Sequence, residues 1–304
     1  MVDVEKPLNK VLSIGLGRLG LPAAKHVKQR GFDSYGYDID RKAMEYAEKT
    51  AGIRQAVDFG SEDFDVFIIS VSTHKPEDMF SSQMDGILTT AERISREAKK
   101  DGALVSIEST IAKGTSKKVF EILDHRFHVV HAPHRWYSLE EDEHGVSQLR
   151  VIGGVSDCCL KVGMQFYSGV KQGYRTVHPS YKSLGIPMHP VSNVETAEIA
   201  KIAENVHRYL QIAFAEELYL YCQENNINFP ELRDALNTKW NVNILEPREG
   251  IGGHCLPKDT RMFLQSSNPR KSKIITAAIE VDEDYRASRA KLEKEIKFPI
   301  LLDE

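Results

Sequence analysis

Short runs of β-branched and aromatic residues alternate with longer amphipathic stretches through the first half of the chain. The runs that are predicted to be strands cover residues 10–15, 33–38, 65–71, 103–109, 127–133 and 150–155. The stretches that are predicted to be helices cover residues 18–30, 41–49, 84–100 and 114–124. Strands that are apolar on both faces and separated by helices are typical of a parallel sheet covered on both sides. The pattern therefore predicts an α/β fold with a doubly wound parallel sheet, with the last run at its edge.

The second half of the chain has a different pattern. A stretch without proline or glycine runs from Ser192 to Glu224, opens with a Ser-Asn pair that can cap a helix, and is apolar on most sides. It forms a helix of roughly 45 Å, and a helix that is apolar nearly all round must be buried by other helices or by a second subunit. Shorter helices are predicted over residues 229–237 and 274–294. We expect two domains, a doubly wound domain over residues 1–186 and an all-helical domain with a long central helix over residues 187–304.

Composition and charge limit the classes of protein to which this chain can belong. The chain has 304 residues, 40 Lys and Arg against 44 Asp and Glu, and a formal net charge of -4. This balance excludes a polybasic nucleic-acid-binding protein, and no apolar run approaches the ~20 residues of a membrane span. We expect a cytoplasmic protein with no membrane or nucleic-acid partner. Four cysteines are too few for a disulfide scaffold, so reduced thiols are expected, with Cys158, Cys159 and Cys222 as structural residues.

Four histidines at intervals of three, His125, His128, His131 and His134, suggest a metal site at first sight. On an extended segment, a spacing of three alternates between the two faces of the sheet. The four side chains cannot converge on one ion, and no metal is predicted.

A glycine motif follows the first predicted strand and opens the next helix. Gly15, Gly17 and Gly20 form G-x-G-x-x-G, which permits a tight turn, close approach of the backbone to a pyrophosphate, and close packing of the helix. The helix N-terminus adds N–H donors for the phosphates. Asp38, at the end of the second strand, can accept hydrogen bonds from both ribose hydroxyls and repels a 2'-phosphate, so NAD is favoured over NADP. Arg41 argues against this preference for NAD, since its guanidinium could bind a 2'-phosphate.

Two further segments carry polar groups where ligands can bind. Residues 108–115 lie at the C-terminal end of a predicted strand. Their hydroxyl groups either contact a nicotinamide or a reacting water, or cap the following helix. On the long helix, Glu198, Lys201 and Asn205 share one face. A buried ammonium and amide are costly unless paired, so this face either meets a polar ligand or holds a salt bridge between Lys201 and Glu198.

The most specific segment is GIGGHCLPKD, residues 250–259. Its glycines let the backbone pass close to a substrate and hold Cys255 at a turn before a helix that Pro257 can start. The helix dipole, His254 and Lys258 can each lower the pKa of the thiol and favour the nucleophilic thiolate. The segment therefore predicts a reactive cysteine.

Four segments in this order, GLGRLGLP, EST-x-x-x-GT, AEIAKIAEN and GIGGHCLPKD, resemble the nucleotide-sugar 6-dehydrogenases, the family of UDP-glucose, UDP-N-acetylmannosamine and GDP-mannose dehydrogenases. The resemblance spans roughly residues 10–290. It implies an N-terminal Rossmann domain, NAD as the cofactor, and two oxidations of a sugar C6 hydroxyl through a thiohemiacetal and a thioester on Cys255. The residues that it implies, together with the glycine motif, for contact with NAD are Gly15, Gly17, Arg18, Leu19, Gly20, Asp38, Thr73 and Thr110.

The resemblance also implies roles on the substrate side. Lys201 stabilises the oxyanion or alkoxide at C6, and Asn205 orients the same oxygen. Asp259 works with Lys201 as a base or activates water. Gly252 and Lys258 belong to the same cysteine motif and are expected to contact the substrate.

The chain departs from the family pattern in three ways. The family has a Pro-Glu pair that helps to hydrolyse the thioester, whereas this chain has His134, which can still act as a base near neutral pH, with an acidic run at residues 140–143 close in sequence. The usual substrate-binding Arg is not in its place, so Lys239 and Arg248 are candidates for that charge, and Trp240 is expected in the core. Family members continue into another Rossmann-like domain that closes over the nucleotide, and we expect that domain to be absent here.

Three functions stay open at this point. The first is NAD-dependent oxidation of a nucleotide sugar, with a UDP-sugar as the expected substrate. The second is a single-step β-hydroxyacid dehydrogenase, which also pairs a Lys with an Asn on a helix but has no use for a GGHC loop. The third is a non-catalytic NAD-binding assembly subunit. In each case the helix over residues 192–224 predicts a homodimer.

Overall fold

The computed structural model describes residues 7–75, 77–78, 80–135, 145–169, 182–266 and 272–297, with residues 292–297 by backbone alone. The strands in this part of the chain are β1 Lys10–Ile14, β2 Asp33–Tyr37, β3 Arg54–Gln55, β4 Val66–Ile69, β5 Leu104–Ile107, β6 His128–His131, β7 Arg150–Gly154 and β8 Met188–Pro190. They form one sheet in the order β3-β2-β1-β4-β5-β6-β7-β8. Neighbouring strands are parallel except β6 and β7, which are antiparallel.

The sheet forms because its central strands are apolar on both faces. Every residue of β4 and of β5 is buried, and helices supply the cover. The helices that follow these strands are α1 Gly20–Gln29, α2 Arg41–Ala51, α3 Asp85–Glu97, α4 Thr115–Ile122 and α5 Asp157–Ser168. The predicted α/β fold with a doubly wound sheet is confirmed.

The hydrophobic pattern of the sequence did not predict two short strands. β3 has only two residues, both exposed, and β8 has three residues and pairs in parallel with β7. The prediction that residues 150–155 form the edge is therefore wrong. Strands this short carry no apolar run that periodicity can detect. The antiparallel direction of β7 also went unpredicted, because buried strands of either direction have similar composition.

The second half of the described chain is helical, as predicted. Its helices are α6 Val194–Glu224, α7 Phe229–Asn237, α8 Cys255–Ser266 and α9 Lys273–Lys297. Asn193 caps α6, since its Oδ1 accepts the N–H of Thr196 at 2.8 Å. Tyr209 and Ala213 of α6 form a buried cluster with Ile251 and Ala278. Among the described helices, none is both long enough and apolar enough to span a membrane.

By compactness the chain forms two units. The first unit contains the residues up to His74 together with Gln83–Lys201, and the second contains Lys75–Ser82 together with the residues from Ile202 onward. The first turn of α6 packs within the first unit, because a Cβ at Gly153 of β7 would lie only 2.8 Å from the Cα of Val194. The domain limits of 1–186 and 187–304 stay a prediction.

Candidate active site

The glycine loop between β1 and α1 has the geometry of a phosphate-binding turn. Gly15 has a φ of +89°, and a Cβ there would lie 2.6 Å from the carbonyl oxygen of Ser70. A Cβ at Gly20 would lie 1.8 Å from the carbonyl oxygen of Gly15, so only glycine fits these two positions. At Gly17 a Cβ would meet nothing within 4 Å, which leaves the backbone open to a ligand. The exposed residues of the loop are Gly17, Arg18 and Leu19.

The polar groups around this loop suit a dinucleotide. The first turn of α1 carries no acidic side chain to compete for its positive end. Asp38 accepts the N–H of Leu16 at 2.7 Å through one oxygen and the N–H of Asp40 at 2.9 Å through the other, and each oxygen keeps a lone pair for a ribose hydroxyl. Arg41 forms an exposed pair with Glu45 at 3.1 Å, which weakens the argument for a 2'-phosphate. The residues present fit NAD.

Thr73 and Thr110 follow β4 and β5, two neighbouring strands of the sheet. The carboxyl ends of parallel strands meet at one edge, and ligands bind where the strand order reverses, here between β1 and β4. Thr73 is buried and Thr110 is half-buried at this edge. Their contact with NAD stays a prediction, whereas Ser109 donates its hydroxyl to the carbonyl oxygen of Val71 at 2.6 Å.

The alternative that hydroxyl groups of residues 108–115 cap the next helix is wrong. Gly114 is the N-cap of α4, with a φ of 87°, and it has no side chain to act as a cap. Instead, the carboxylate of Glu198 accepts the N–H groups of Gly114 and Ser116 at 2.6 and 2.8 Å. Burial raises the pKa of Glu198. This capping role explains the burial of Glu198 without the salt bridge to Lys201 that the spacing allowed.

A buried ion cluster lies at the C-terminal ends of β5 and β6, and we call it the Glu108 cluster. Nε2 of His134 lies 2.5 Å from Oε2 of Glu108, and Nη1 of Arg150 lies 3.3 Å from Oε1. The hydroxyl of Tyr167 donates to the same Oε1. Each of the four side chains is at most 4% exposed. The sequence analysis missed Glu108, Arg150 and Tyr167, because no spacing along the chain signals that they meet.

The charges in this cluster keep the imidazole of His134 neutral. Burial opposes ionisation of Glu108, but its interactions with His134 and with the charge of Arg150 outweigh burial and lower the pKa of Glu108 to about 2. Burial, followed by the charge of Arg150, lowers the pKa of His134. The imidazole is then neutral at neutral pH, and with the proton on Nε2 it donates to Glu108. Nδ1 is buried and has no hydrogen-bond partner among the described residues. A neutral imidazole oriented by a carboxylate is the arrangement of a general base.

Lys201 lies in the first unit, where its positive charge acts on His131 and His134. After burial, its charge contributes to the lowered pKa of His131 and of His134. His131 is fully buried, with Nδ1 2.9 Å from the carbonyl oxygen of Ile107, and its pKa falls to about 3. The acidic run at residues 140–143 lies outside the described residues.

In the second unit, Cys255 is the exposed first residue of α8. Its Sγ lies 3.6 Å from Nε2 of His254. Gly253, with a φ of +73°, and Gly252 are both exposed, so the backbone before the thiol is open. The positive end of a helix and a neighbouring imidazole both favour a thiolate. The structure thus places Cys255 at the start of a helix and beside His254, as the sequence predicted, and the reactivity of the thiol stays a prediction.

Asp259 lies one turn further along α8 and is 1% exposed. Nδ2 of Asn205 donates to its Oδ2 at 2.5 Å, and Nζ of Lys258 donates to its Oδ1 at 2.6 Å. The structure therefore brings Asn205 of α6 to the cysteine helix, as the resemblance implies. Lys258 is only 4% exposed and its ammonium pairs with Asp259, and its contact with a substrate stays a prediction.

Helix α9 holds the loop that leads to Cys255. Asp282 accepts the N–H of Ile251 at 2.9 Å, and Nη2 of Arg286 donates to the carbonyl oxygen of the same residue at 2.5 Å. Nε of Arg286 also donates to Asp282 at 3.0 Å. The hydroxyl of Tyr285 donates to the carbonyl oxygen of Arg248 at 2.6 Å. We call Asp282, Tyr285 and Arg286 the α9 clamp.

Glu216 of α6 interacts with Asp282 of the clamp. It is fully buried, and burial together with the negative charge of Asp282 raises the pKa of Glu216 to about 8. Two carboxyl groups can share a hydrogen bond only when one of them is protonated. At neutral pH, Glu216 therefore carries the proton and donates to Asp282.

The stretch between α7 and the cysteine loop is more exposed than the sequence suggested. Trp240 is 93% exposed, so its predicted place in the core is wrong. It follows the end of α7 within a mostly polar stretch, NTKWNVN, in which Val242 is the one other apolar residue. Lys239 and Arg248 are exposed, and Arg248 has a φ of 54°, a strained backbone conformation that is common at functional sites. Their contact with a substrate stays a prediction.

Taken separately, the two units have the features of a dehydrogenase: a dinucleotide-binding sheet in one and a reactive cysteine on a helix in the other. The UDP-glucose/GDP-mannose dehydrogenase family matches twice, through its NAD binding domain at residues 46–171 and its central domain at residues 195–284. The chain belongs to this family, and the predictions of the family and of NAD as the cofactor are confirmed.

Named relatives agree with the family match. The UDP-N-acetyl-D-mannosamine dehydrogenase of Campylobacter jejuni is 30% identical over 308 residues, covering 91% of this chain and 72% of that protein. The enzyme of the same name from Methanococcus maripaludis strain C7 is 27% identical, covering 92% of this chain and 66% of that protein. A solved structure of UDP-D-ManNAc dehydrogenase from Pyrococcus horikoshii has a TM-score of 0.78 at 26% identity, covering 94% of this chain and 71% of that one. The chain thus spans about two thirds of the length of such relatives.

Proposed function

We propose that this chain oxidises the C6 hydroxyl of a nucleotide sugar to a carboxylate in two NAD-dependent steps, through a covalent bond to Cys255. The observation that carries the proposal is the exposed thiol at the start of α8, with the buried Lys258 and Asp259 on the next turn and Asn205 of α6 donating to Asp259. A covalent intermediate needs such a nucleophile, whereas a single hydride transfer does not. The glycine loop and the family match support NAD.

In this proposal, the chain's own residues handle the C6 oxygen and its protons. NAD, when bound, accepts a hydride from C6 in each oxidation. Asn205 orients the C6 oxygen, the ammonium of Lys201 balances its negative charge, and Asp259 receives its proton. The thiolate of Cys255 adds to the aldehyde carbon to give a thiohemiacetal, and loss of the second hydride leaves a thioester.

His134 has its role in the last step. Nδ1 takes a proton from water, the water oxygen adds to the thioester carbonyl, and the C–S bond breaks to return the thiolate of Cys255 and release the acid. Over the whole cycle one alcohol, two NAD⁺ and one water give one carboxylate, two NADH and three protons. The Glu108 cluster supports this role, because it keeps the imidazole neutral and oriented. The histidine thus takes the place that a glutamate has in the family pattern.

The names of the relatives make UDP-N-acetylmannosamine the first substrate to test. The experiment is an NAD-reduction screen with UDP-N-acetylmannosamine, UDP-glucose and GDP-mannose. We expect NADH with at least one UDP-sugar, none from Cys255→Ala, and ordinary rates from the matched control Cys222→Ala, a buried cysteine on α6. Turnover that survives Cys255→Ala supports the single-step dehydrogenase instead. Tight NAD binding with no reduction by any nucleotide sugar supports the assembly subunit.

We also propose a cytoplasmic homodimer formed through α6. Phe214 and Tyr221 lie two turns apart on one side of this helix and are 52% and 53% exposed, which leaves an apolar stripe for a second copy to cover. In size-exclusion chromatography with light scattering we expect a dimer that Phe214→Glu dissociates. A control substitution at Leu149, an exposed apolar residue of the first unit, should leave the dimer intact. A monomeric wild-type protein would refute the interface.

A further inference from the structure

Cys158 and Cys159 lie in the first turn of α5 and face a histidine of β6. One sulfur from each cysteine and a ring nitrogen of His128 all lie within 4.8 Å of one another. The Oγ of Ser156, the N-cap of α5, lies 3.1 Å from each sulfur, so the two thiols gather around one point. The three donors come from two elements of the first unit that pack directly on each other, which fixes their relative positions.

The imidazole of His128 is available for a ligand. Nδ1 of His128 is buried and has no hydrogen-bond partner among the described residues. A buried polar atom without a partner is uncommon and indicates an ion or a water molecule that belongs there. Cys159 is 1% exposed, whereas Cys158 is exposed and offers a route from solvent.

The donor atoms of these three side chains determine which metal ion the site would bind. Two thiolates and an imidazole are the donors that Zn²⁺ prefers, and hard cations such as Mg²⁺ and Ca²⁺ prefer oxygen. A tetrahedral ion with Zn–S bonds near 2.3 Å places its sulfurs roughly 3.8 Å apart, so small side-chain rotations suffice to close the observed cluster. One Zn²⁺ and two thiolates are neutral together, which suits a half-buried site at the positive end of a helix.

We propose that His128, Cys158 and Cys159 form a Zn²⁺ site with an open fourth position, where the first turn of α5 meets β6. None of the three residues belongs to the glycine loop or to the Glu108 cluster, and the site does not depend on the proposed oxidation. It changes the interpretation of Cys158 and Cys159 from structural thiols to ligands. The four histidines of the HRFHVVHAPH segment still do not converge, because His128 finds its partners on a helix rather than on its own strand.

The test is metal titration of the full chain, reduced and then freed of reductant. With Co²⁺ we expect one equivalent bound, a sulfur-to-cobalt charge-transfer band, and displacement of Co²⁺ by Zn²⁺. Cys158→Ser and His128→Gln should each weaken Zn²⁺ binding by at least about 100-fold, since loss of an outer-shell partner alone costs 10–100-fold. Cys222→Ser and Cys255→Ser should leave this binding unchanged.

Three results would overturn the proposal. One is the absence of stoichiometric Co²⁺ or Zn²⁺ binding to folded wild-type protein. Another is binding that survives Cys158→Ser combined with His128→Gln. The third is binding that disappears with Cys255→Ser, which would assign the metal to the other exposed thiol. Circular dichroism of each variant separates loss of a ligand from loss of the fold, and the exposed Cys158 is the position least able to affect folding.

Discussion

The two units of this chain each bury a glutamate, and the two glutamates hold opposite protonation states. Glu108 lies beside His134 and Arg150, and its pKa falls to about 2. Glu216 faces Asp282, and its pKa rises to about 8. Burial raises the pKa of both groups, so the sign of the neighbouring charge decides the outcome. At neutral pH the first is a fixed anion that orients a base, and the second is a neutral acid that donates to the clamp on the cysteine loop.

The difference predicts opposite responses to pH. His131 and His134 have lowered pKa values in the folded chain, so the unfolded chain takes up protons below about pH 6.5 and stability is lost as the pH falls. Glu216 has a raised pKa in the folded chain. Its contribution is fully present below the unfolded value of about 4.5 and is lost as the pH rises to about 8. The first unit therefore loses stability as the pH falls below about 6.5, and the second loses it as the pH rises from about 4.5 to about 8.

Removal of Arg150 should have the largest effect, because it leaves the charge of Glu108 buried without its cation. Arg150→Met is expected to lower the free energy of unfolding by about 3–5 kcal/mol in urea denaturation. The matched control is Arg54→Met, which breaks the exposed pair with Asp33 and should cost less than about 1 kcal/mol. Equal effects of the two substitutions would show that the Glu108 cluster is not a charge-compensated unit.

Substitution of His134 tests whether the cluster serves catalysis. His134→Gln should slow thioester hydrolysis by about 10²–10⁴-fold while both hydride transfers proceed. Stopped-flow absorbance should then show a burst of two NADH per Cys255, followed by slow turnover. His207→Gln, at an exposed histidine of α6, is the control. Loss of the burst itself would assign His134 to an earlier step or to folding.

Loss of the clamp should reduce activity without loss of NAD binding. Asp282→Ala removes the acceptor for the N–H of Ile251, and a displacement of the cysteine loop by about 1 Å can cost roughly 10²-fold in kcat. NAD affinity, measured by fluorescence titration, should stay the same, because the glycine loop belongs to the other unit. Glu283→Ala, at the exposed neighbour, should behave as wild type. If both variants keep wild-type kcat, the clamp does not position Cys255.

The smallest expected effect concerns Glu216. Since Glu216→Gln is neutral at every pH, it removes one titrating proton from the folded state. Between pH 6 and pH 7 the unfolding equilibrium constant of the wild type should rise by about tenfold relative to the variant. Denaturant unfolding across this range measures the slope, with the exposed Glu217→Gln as control. Parallel profiles would mean that Glu216 is already ionised in the folded chain.

Local patterns predicted much of the fold and half of the site. The glycine loop, the limits of α7 and the cap at Asn193 depend on residues close together in sequence, and all three agree with the structure. The two clusters that control charge were not predictable in this way. Glu108 meets Arg150, and Glu216 meets Asp282, only because separate elements fold together. Spacing within one element carries no information about such pairs.

The exposure of individual side chains was the other property that the sequence did not predict. Tryptophan is usually a core residue, yet the side chain of Trp240 is exposed to solvent because the residues around it are mostly polar. Residue type gives an average burial, whereas the neighbours in space decide the actual one.

The central claim is that one thiol carries the substrate through two oxidations. The measurement that tests it most directly is the number of NADH molecules formed per molecule of nucleotide sugar consumed, at complete conversion. We predict two, with a carboxylate product and with an acyl adduct on Cys255 that intact-protein mass spectrometry detects in His134→Gln. One NADH per sugar, with an aldehyde or ketone product and an unmodified Cys255, would contradict the account.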